Sequence, residues 1–248
     1  MRREVNPTAT TGEGEDIGEA GESVDSFAAL GVRAFTTGRG AGSFSTGSDE
    51  PVRDVMARWN ALRNALGRAR LATATQVHGR IIVDHDGAWR GWLRGEDADG
   101  HLAMSPGTAM AVTVADCVPV FLAHPSGATA ALHSGWRGTA AAITAHAIAR
   151  FTSAGLAAGD ILLHCGPAIC GRCYEVSPDV YGQLTGRRVE SPTTVDLRAL
   201  ITDQARALGV RKLSVSPMCT RCNNDLFFSH RAGDAGRQLG VILASQSV

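Results

Sequence analysis

The stretch Ala109–Thr139, AMAVTVADCVPVFLAHPSGATAALHSGWRGT, constrains the fold more than any other part of the chain. It holds three short apolar runs, Ala109–Val114, Val118–Ala123 and Ala128–Leu132, with a Pro125-Ser126-Gly127 turn before the last. Short apolar runs bounded by turn residues have the pattern of buried strands. Asp116 and Cys117 fill the break between the first two runs. His133 ends the third and is followed by Ser134-Gly135-Trp136-Arg137-Gly138. Cys117 and His133 are therefore expected at strand edges, projecting from a rigid frame.

A thiol and an imidazole so placed admit two chemistries: a nucleophile with its base, or two ligands of a soft-to-borderline metal such as zinc. A third residue favours the metal. Gln76-Val77-His78-Gly79 precedes another apolar run, Ile81–Val83, so His78 also falls at a strand boundary. One thiolate and two imidazoles form a zinc set that keeps the fourth position open, as a catalytic site needs. Such a set lacks the many imidazoles of multicopper chemistry, so copper ranks below zinc. Asp116, beside Cys117, is placed to orient a ligand imidazole or act as a general base; the plainer reading is a turn-forming Asp.

Lys+Arg and Asp+Glu number 24 each, and this balance gives no pull towards nucleic acid or an anionic membrane. Every apolar run is well short of the ~18 residues that span a bilayer. The N-terminus opens with Arg2-Arg3-Glu4 and a polar tract rather than the apolar core of a signal peptide. A cytoplasmic location is expected, where the six cysteines favour metal or catalytic roles over disulfides.

Met1 to about Val24 is Gly, Glu, Thr and Ser with almost no large apolar side chain. Such a segment buries too little surface to offset ordering entropy, so residues 1–26 read as a disordered tail and 27–248 as one domain. Val32–Thr37 reads as the first strand and Thr37–Gly47 as a flexible Gly/Ser-rich connection without a phosphate-loop pattern. Pro51 to Leu66 is a helix by the spacing of Val52, Val55, Met56, Trp59, Leu62 and Leu66. The tract through Trp89, Trp92 and Glu96–Gly100 reads as a loop. Thr139 suits the N-cap of a helix over Ala140–Phe151, whose first turn, with Arg137, could bind an anionic group. Ile161–Cys165, Lys212–Ser216 and Leu239–Ala244 read as strands, and Ser177 and Asp196 as helix caps. His85, His101, His124, His146 and His164 read as packed or solvated.

Cys170/Cys173 and Cys219/Cys222 are two Cys-x-x-Cys pairs about 45 residues apart, the spacing of a four-cysteine structural zinc site. Free buried thiols are the alternative.

The motifs QVHG, ADCVPV, HSGWRGT, GPAICGRCYEV and CTRCNNDLFFSHR occur in this order. Together they resemble the YfiH-like laccase-domain family, once labelled multicopper polyphenol oxidases and now described as purine nucleoside phosphorylases. The resemblance runs from about Val32 to the C-terminus. It implies an α+β domain with mixed sheets layered as α/β/β/α, and a zinc site of His78, Cys117 and His133. It also implies phosphorolysis of adenosine, inosine and S-methyl-5′-thioadenosine, with adenosine deamination, so that purine nucleosides and phosphate are the expected partners. Cys117, Asp116 and Arg137 are the candidate catalytic residues. The resemblance accounts for one cysteine of each Cys-x-x-Cys pair, and the chain departs from the family around Phe44–Glu50 and at His230, where Tyr is usual. Rival readings are a Cys–His amide hydrolase acting on cell-wall precursors, a copper-dependent phenol oxidase and a non-catalytic zinc module.

Overall fold

The computed structural model describes residues 21–47 and 50–245. In chain order the elements begin with β1 (Glu22–Ser23), β2 (Val32–Thr36), α1 (Val52–Ala65), β3 (Arg70–Ala74) and β4 (Ile82–Asp84). Next come β5 (Trp92–Gly95), β6 (Gly100–Ala103), β7 (Thr108–Val114), β8 (Val118–Ala123) and β9 (Thr129–Ser134). Then follow α2 (Trp136–Ala140), α3 (Ile143–Ser153), β10 (Leu162–Cys165), β11 (Glu175–Val176) and α4 (Pro178–Thr185). The last are β12 (Thr193–Thr194), α5 (Leu197–Ala207), β13 (Lys212–Val215) and β14 (Gln238–Ala244).

One mixed sheet has the order β1-β2-β14-β7-β3-β5 and the other β13-β10-β8-β9-β6-β4. Side-chain alternation explains why the apolar runs are continuous. On β7, Ala109 and Ala111 pack with Val55, Trp59 and Leu62 of α1, whereas Met110, Val112 and Val114 enter the space between the sheets. On β8, Val118, Val120 and Leu122 face α3 and α5, while Phe121 and Ala123 face the other sheet. Strands buried on both faces need apolar residues at every position. The result is the α/β/β/α layering, with one core at each of its three interfaces. Full burial of each large apolar side chain contributes about 1.5–3 kcal/mol, so the central strands anchor the fold.

Several expectations need correction. Residues 1–20 lie outside the described residues, but 21–26 are part of the domain: β1 pairs antiparallel with β2, and Val24 is buried. The tract read as a loop through Trp92 and Gly100 contains β5 and β6. Their short, polar-flanked sequences are recruited by parallel pairing to β3 and β4. The Thr37–Gly47 connection is pinned: Arg39 donates to Asn224 O at 2.8 Å and pairs with Asp234 at 2.6 Å, and Arg58 donates to Ser43 O at 2.6 Å. The helix expected at Ala140 starts earlier, at Trp136, and breaks at Ala142, which has φ +55°. Thr139 does not cap it, because its hydroxyl is hydrogen-bonded to Ser134 at 2.9 Å. Among the described residues no helix is long and apolar enough to cross a membrane.

Candidate metal centre and its cavity

Strand parity brings two members of the trio together. Cys117 precedes β8 with the parity of Phe121, and His133 on β9 has the parity of Ala131, so both belong to the inter-sheet side. The β8–β9 register sets Pro119 opposite His133 and Val118 opposite Ser134, leaving Cys117 just beyond the last pair. His78 arrives from the β3–β4 connection with φ +60°, a left-handed conformation that non-glycine residues adopt only when held there. The holding group is Asp99. Its buried carboxylate accepts the backbone N–H groups of Val77 (3.2 Å), His78 (2.9 Å) and Gly79 (2.6 Å).

The same carboxylate accepts Nδ1–H of His133 at 2.8 Å, so Nε2 is the ring nitrogen left for a ligand once its proton is displaced. The donor atoms of His78, Cys117 and His133 all lie within 4.8 Å of one another, and the two imidazoles are 4.7 Å apart between centroids and nearly perpendicular. This cluster can hold a metal ion. Gly135 closes over it: a Cβ there would fall 2.8 Å from Cys117 Sγ.

The electrostatics of the three side chains favour a Cys117 thiolate beside a protonated His133, whose ring proton a metal would displace. Burial pushes the Cys117 thiol up, but the His133 charge and hydrogen bonds from both imidazoles outweigh it and bring the thiol down to about 6. Burial lowers His133, yet the Cys117 thiolate and Asp99 together raise it to about 9. Burial would raise the Asp99 carboxyl; the His133 hydrogen bond and the N–H groups of Gly79 and His78 together hold it below the usual range.

The trio lies on the wall of a cavity of about 390 Å³. Phe44, Trp59, Trp92 and Ala111 make its apolar side. Trp59 and Trp92 stack at 4.7 Å, and their N–H groups donate to Phe44 O and Thr73 Oγ1. Gln76 joins the His78 loop to β7 through three hydrogen bonds with Thr113, at 2.7–2.8 Å. Arg94, Arg237 and His230 supply polar lining.

Asp116 has φ +80° and touches neither imidazole. Its oxygens accept Thr220 Oγ1–H at 2.6 Å and Arg231 N–H at 2.7 Å, tying the Cys117 turn to the Cys219–Arg231 segment. The orienting role suggested for Asp116 falls to Asp99, whose Asp97-Ala98-Asp99-Gly100 setting reads locally as a solvated turn. Arg137 does not line the cavity; it is exposed and stacks over Trp136 at 4.3 Å. Arg94 and Arg237 were not singled out by the sequence, where each is one polar residue among many, and Gln76 entered only as a member of the QVHG motif. The four sulfurs of Cys170, Cys173, Cys219 and Cys222 form a second cluster able to hold a metal, also within 4.8 Å. Of the histidines read as packed or solvated, His85, His101, His124 and His164 are buried, and none of the five joins either cluster.

A two-sheet α+β domain with a metal-capable Cys–His–His centre on a small-molecule cavity defines the class. Residues 40–245 match the family described as multi-copper polyphenol oxidoreductase laccase, and the chain belongs to that family. A *Streptomyces griseus* relative named purine nucleoside phosphorylase ORF3 is 34% identical over 203 residues, 78% of this chain and 82% of the relative. A *Deinococcus radiodurans* protein named purine nucleoside phosphorylase is 34% identical over 233 residues, 84% of this chain and 87% of that one. The crystal structure of YlmD from *Geobacillus stearothermophilus* superposes with a TM-score of 0.81 at 28% identity, covering 87% of this chain and 93% of YlmD.

Proposed function

We propose that this protein is a zinc-dependent purine nucleoside phosphorylase acting on adenosine, inosine and S-methyl-5′-thioadenosine, with adenosine deaminase activity. The observation that carries the reading is the convergence of His78, Cys117 and His133 on a cavity of about 390 Å³, within the range that small-molecule sites occupy. The names of relatives at 34% identity support the reaction class. The donor set fits zinc, because a thiolate and two imidazoles match its borderline softness and leave a position open. Zinc held there would supply a Lewis acid that draws electron density from the substrate atom it touches.

The chain's own residues do the rest. Asp99 fixes the tautomer of His133 and the loop of His78. Asp116 positions Cys117 through the turn they share. In phosphorolysis a phosphate oxygen bonds to the sugar carbon while the carbon–nitrogen bond to the purine breaks, and the electron pair leaves with the base. Arg94 and Arg237 line the cavity where the phosphate charge would need compensation, the part that sequence suggested for Arg137. The apolar wall of Phe44, Trp59 and Trp92 limits water on one side. The unpaired thiols suit a reducing compartment, the cytoplasm.

The test is incubation of purified, metal-assayed protein with adenosine, with and without phosphate, separating adenine, inosine and hypoxanthine. Phosphate-dependent adenine and phosphate-independent inosine are expected, and Cys117→Ala should lose both turnover and zinc. Absence of every product from zinc-loaded protein would overturn the reading.

One observation favours a second reading. Cys117, His133 and Asp99 have the order of a nucleophile, base and orienting carboxylate, with the thiol brought down to about 6. As a Cys–His hydrolase the protein would cleave amides after complete removal of metal, which the zinc reading forbids.

A further inference from the structure

The second sulfur cluster stands apart from the cavity: none of its four cysteines lines it. We infer that Cys170, Cys173, Cys219 and Cys222 hold a tetrahedral zinc ion that clamps two loops behind the catalytic turn. The inference is independent of the reaction proposed above.

Geometry carries it. Sulfurs about 2.3 Å from a central ion in a tetrahedron lie roughly 3.8 Å apart. Here all four fall within 4.8 Å of one another, and Cys173 Sγ to Cys222 Sγ is 3.5 Å. The two Cys-x-x-Cys turns are built alike. Tyr174 N–H donates to Cys170 O at 3.0 Å, and Asn223 N–H to Cys219 O at 2.9 Å, each from four residues on. Cys219 Sγ accepts the N–H groups of Cys170 (3.3 Å) and Cys222 (3.5 Å), which fixes this sulfur between the two turns. A β-bridge between Ala168 and Cys219 fixes the two turns side by side before any ion is considered. The environment is graded from buried Cys219 to exposed Cys222, so an entering ion has a path and the site can shed its protons to solvent. Four thiolates are the ligand set of zinc or iron–sulfur chemistry; sulfurs all within 4.8 Å of one another leave room for one ion rather than a cluster, which fits zinc.

The clamp has a definite target. The first loop runs on to Tyr174 and Glu175, where Arg231 donates to Glu175 O at 2.8 Å and lies over the Tyr174 ring at 5.0 Å. The second loop carries Thr220, whose hydroxyl holds Asp116 at 2.6 Å, next to Cys117. The ion would therefore tie together, from outside, the segments that shape the Cys117 turn. Its role is structural: it holds these loops without contacting substrate.

The experiment uses the full chain purified under reducing conditions, with zinc per chain measured by elemental mass spectrometry. Cys173→Ser/Cys222→Ser should carry one zinc fewer than wild type, whereas Cys117→Ala should keep the ion held by the four cysteines. Replacement by Co²⁺ gives an independent readout. Intense thiolate-to-cobalt charge-transfer absorption should persist in Cys117→Ala and fall in Cys173→Ser/Cys222→Ser to the weak band that the single Cys117 thiolate supplies; both substituted cysteines lie outside the core. The proposal is overturned if zinc content is the same with and without the double substitution, if the metal is iron with inorganic sulfide, or if the reduced protein re-forms a Cys173–Cys222 disulfide in place of binding zinc.

Discussion

Replacing Asp99 with Asn is the most direct probe of how this centre is assembled. One Asp99 oxygen accepts from His78 N and His133 Nδ1, and the other from Val77 N and Gly79 N. Asn has nearly the same shape but only one acceptor oxygen. With its NH₂ towards Val77 and Gly79, two part-buried N–H groups lose their partner and face a donor. With the NH₂ towards His133, the imidazole must take the other tautomer to accept, which puts the proton on the nitrogen needed for metal. An orphaned donor costs about 1–3 kcal/mol when fully buried; with Val77 exposed and Gly79 half-buried, the first arrangement costs roughly 1–3 kcal/mol in all. The second costs less in folding but weakens the metal site. Loss of a carboxylate behind a ligand imidazole typically lowers metal affinity by about 10–100-fold, or roughly 1.4–2.7 kcal/mol. The measurement is zinc affinity by chelator competition, paired with thermal melting. At about 2–4 °C per kcal/mol for a domain of this size, Tm should fall by several degrees, and zinc affinity by at least about tenfold. A normal zinc affinity with a lowered Tm would refute the reasoning, since Asp99 would then hold only the loop.

Gly135→Ala should cost zinc content more than it costs folding, because its Cβ would sit 2.8 Å from Cys117 Sγ and 3.5 Å from His78 Cδ2; elemental analysis of the folded variant checks this. Arg94→Ala should raise KM for phosphate a few-fold, about 1 kcal/mol at most for an exposed charge on an anion, while leaving zinc content unchanged; steady-state kinetics with varied phosphate decide it. His101 is held down to about 3 by burial first and the neighbouring His85 second, with Asp99 opposing. The unfolded chain therefore binds the proton more readily, and stability declines as pH falls from 6.5 towards 3. Linkage gives about 1.4 kcal/mol lost by pH 5.5, visible as a shifted urea midpoint, and a pH-independent midpoint between 8 and 5.5 would contradict it.

The sequence by itself determined the central strands and pointed to the three residues that gather as a metal-capable cluster. Continuous apolar runs leave the chain only buried strands to form, and Cys117 and His133 stand at their ends whatever the remaining topology; His78, expected at a strand boundary, lies instead within the connection between β3 and β4, four residues from either strand. The α1 and α5 helices were likewise fixed locally, by the spacing of Val55, Trp59 and Leu62 and by the Asp196 side chain, which accepts from Arg198 N and Ala199 N. Tertiary structure alone decided the rest. Strands β5 and β6 form because neighbours offer a ladder, not because their residues demand one. Asp99 reads as a turn acid until folding sets it against three N–H groups and an imidazole from residues 77–79 and 133. Asp116 and Arg137 adjoin the right motifs, yet direction along the chain does not specify direction in space: one is drawn to Thr220 and Arg231, the other out over Trp136. Periodicity and local capping act over a few residues and are written in sequence order, whereas a charge finds its partner only after distant segments have packed.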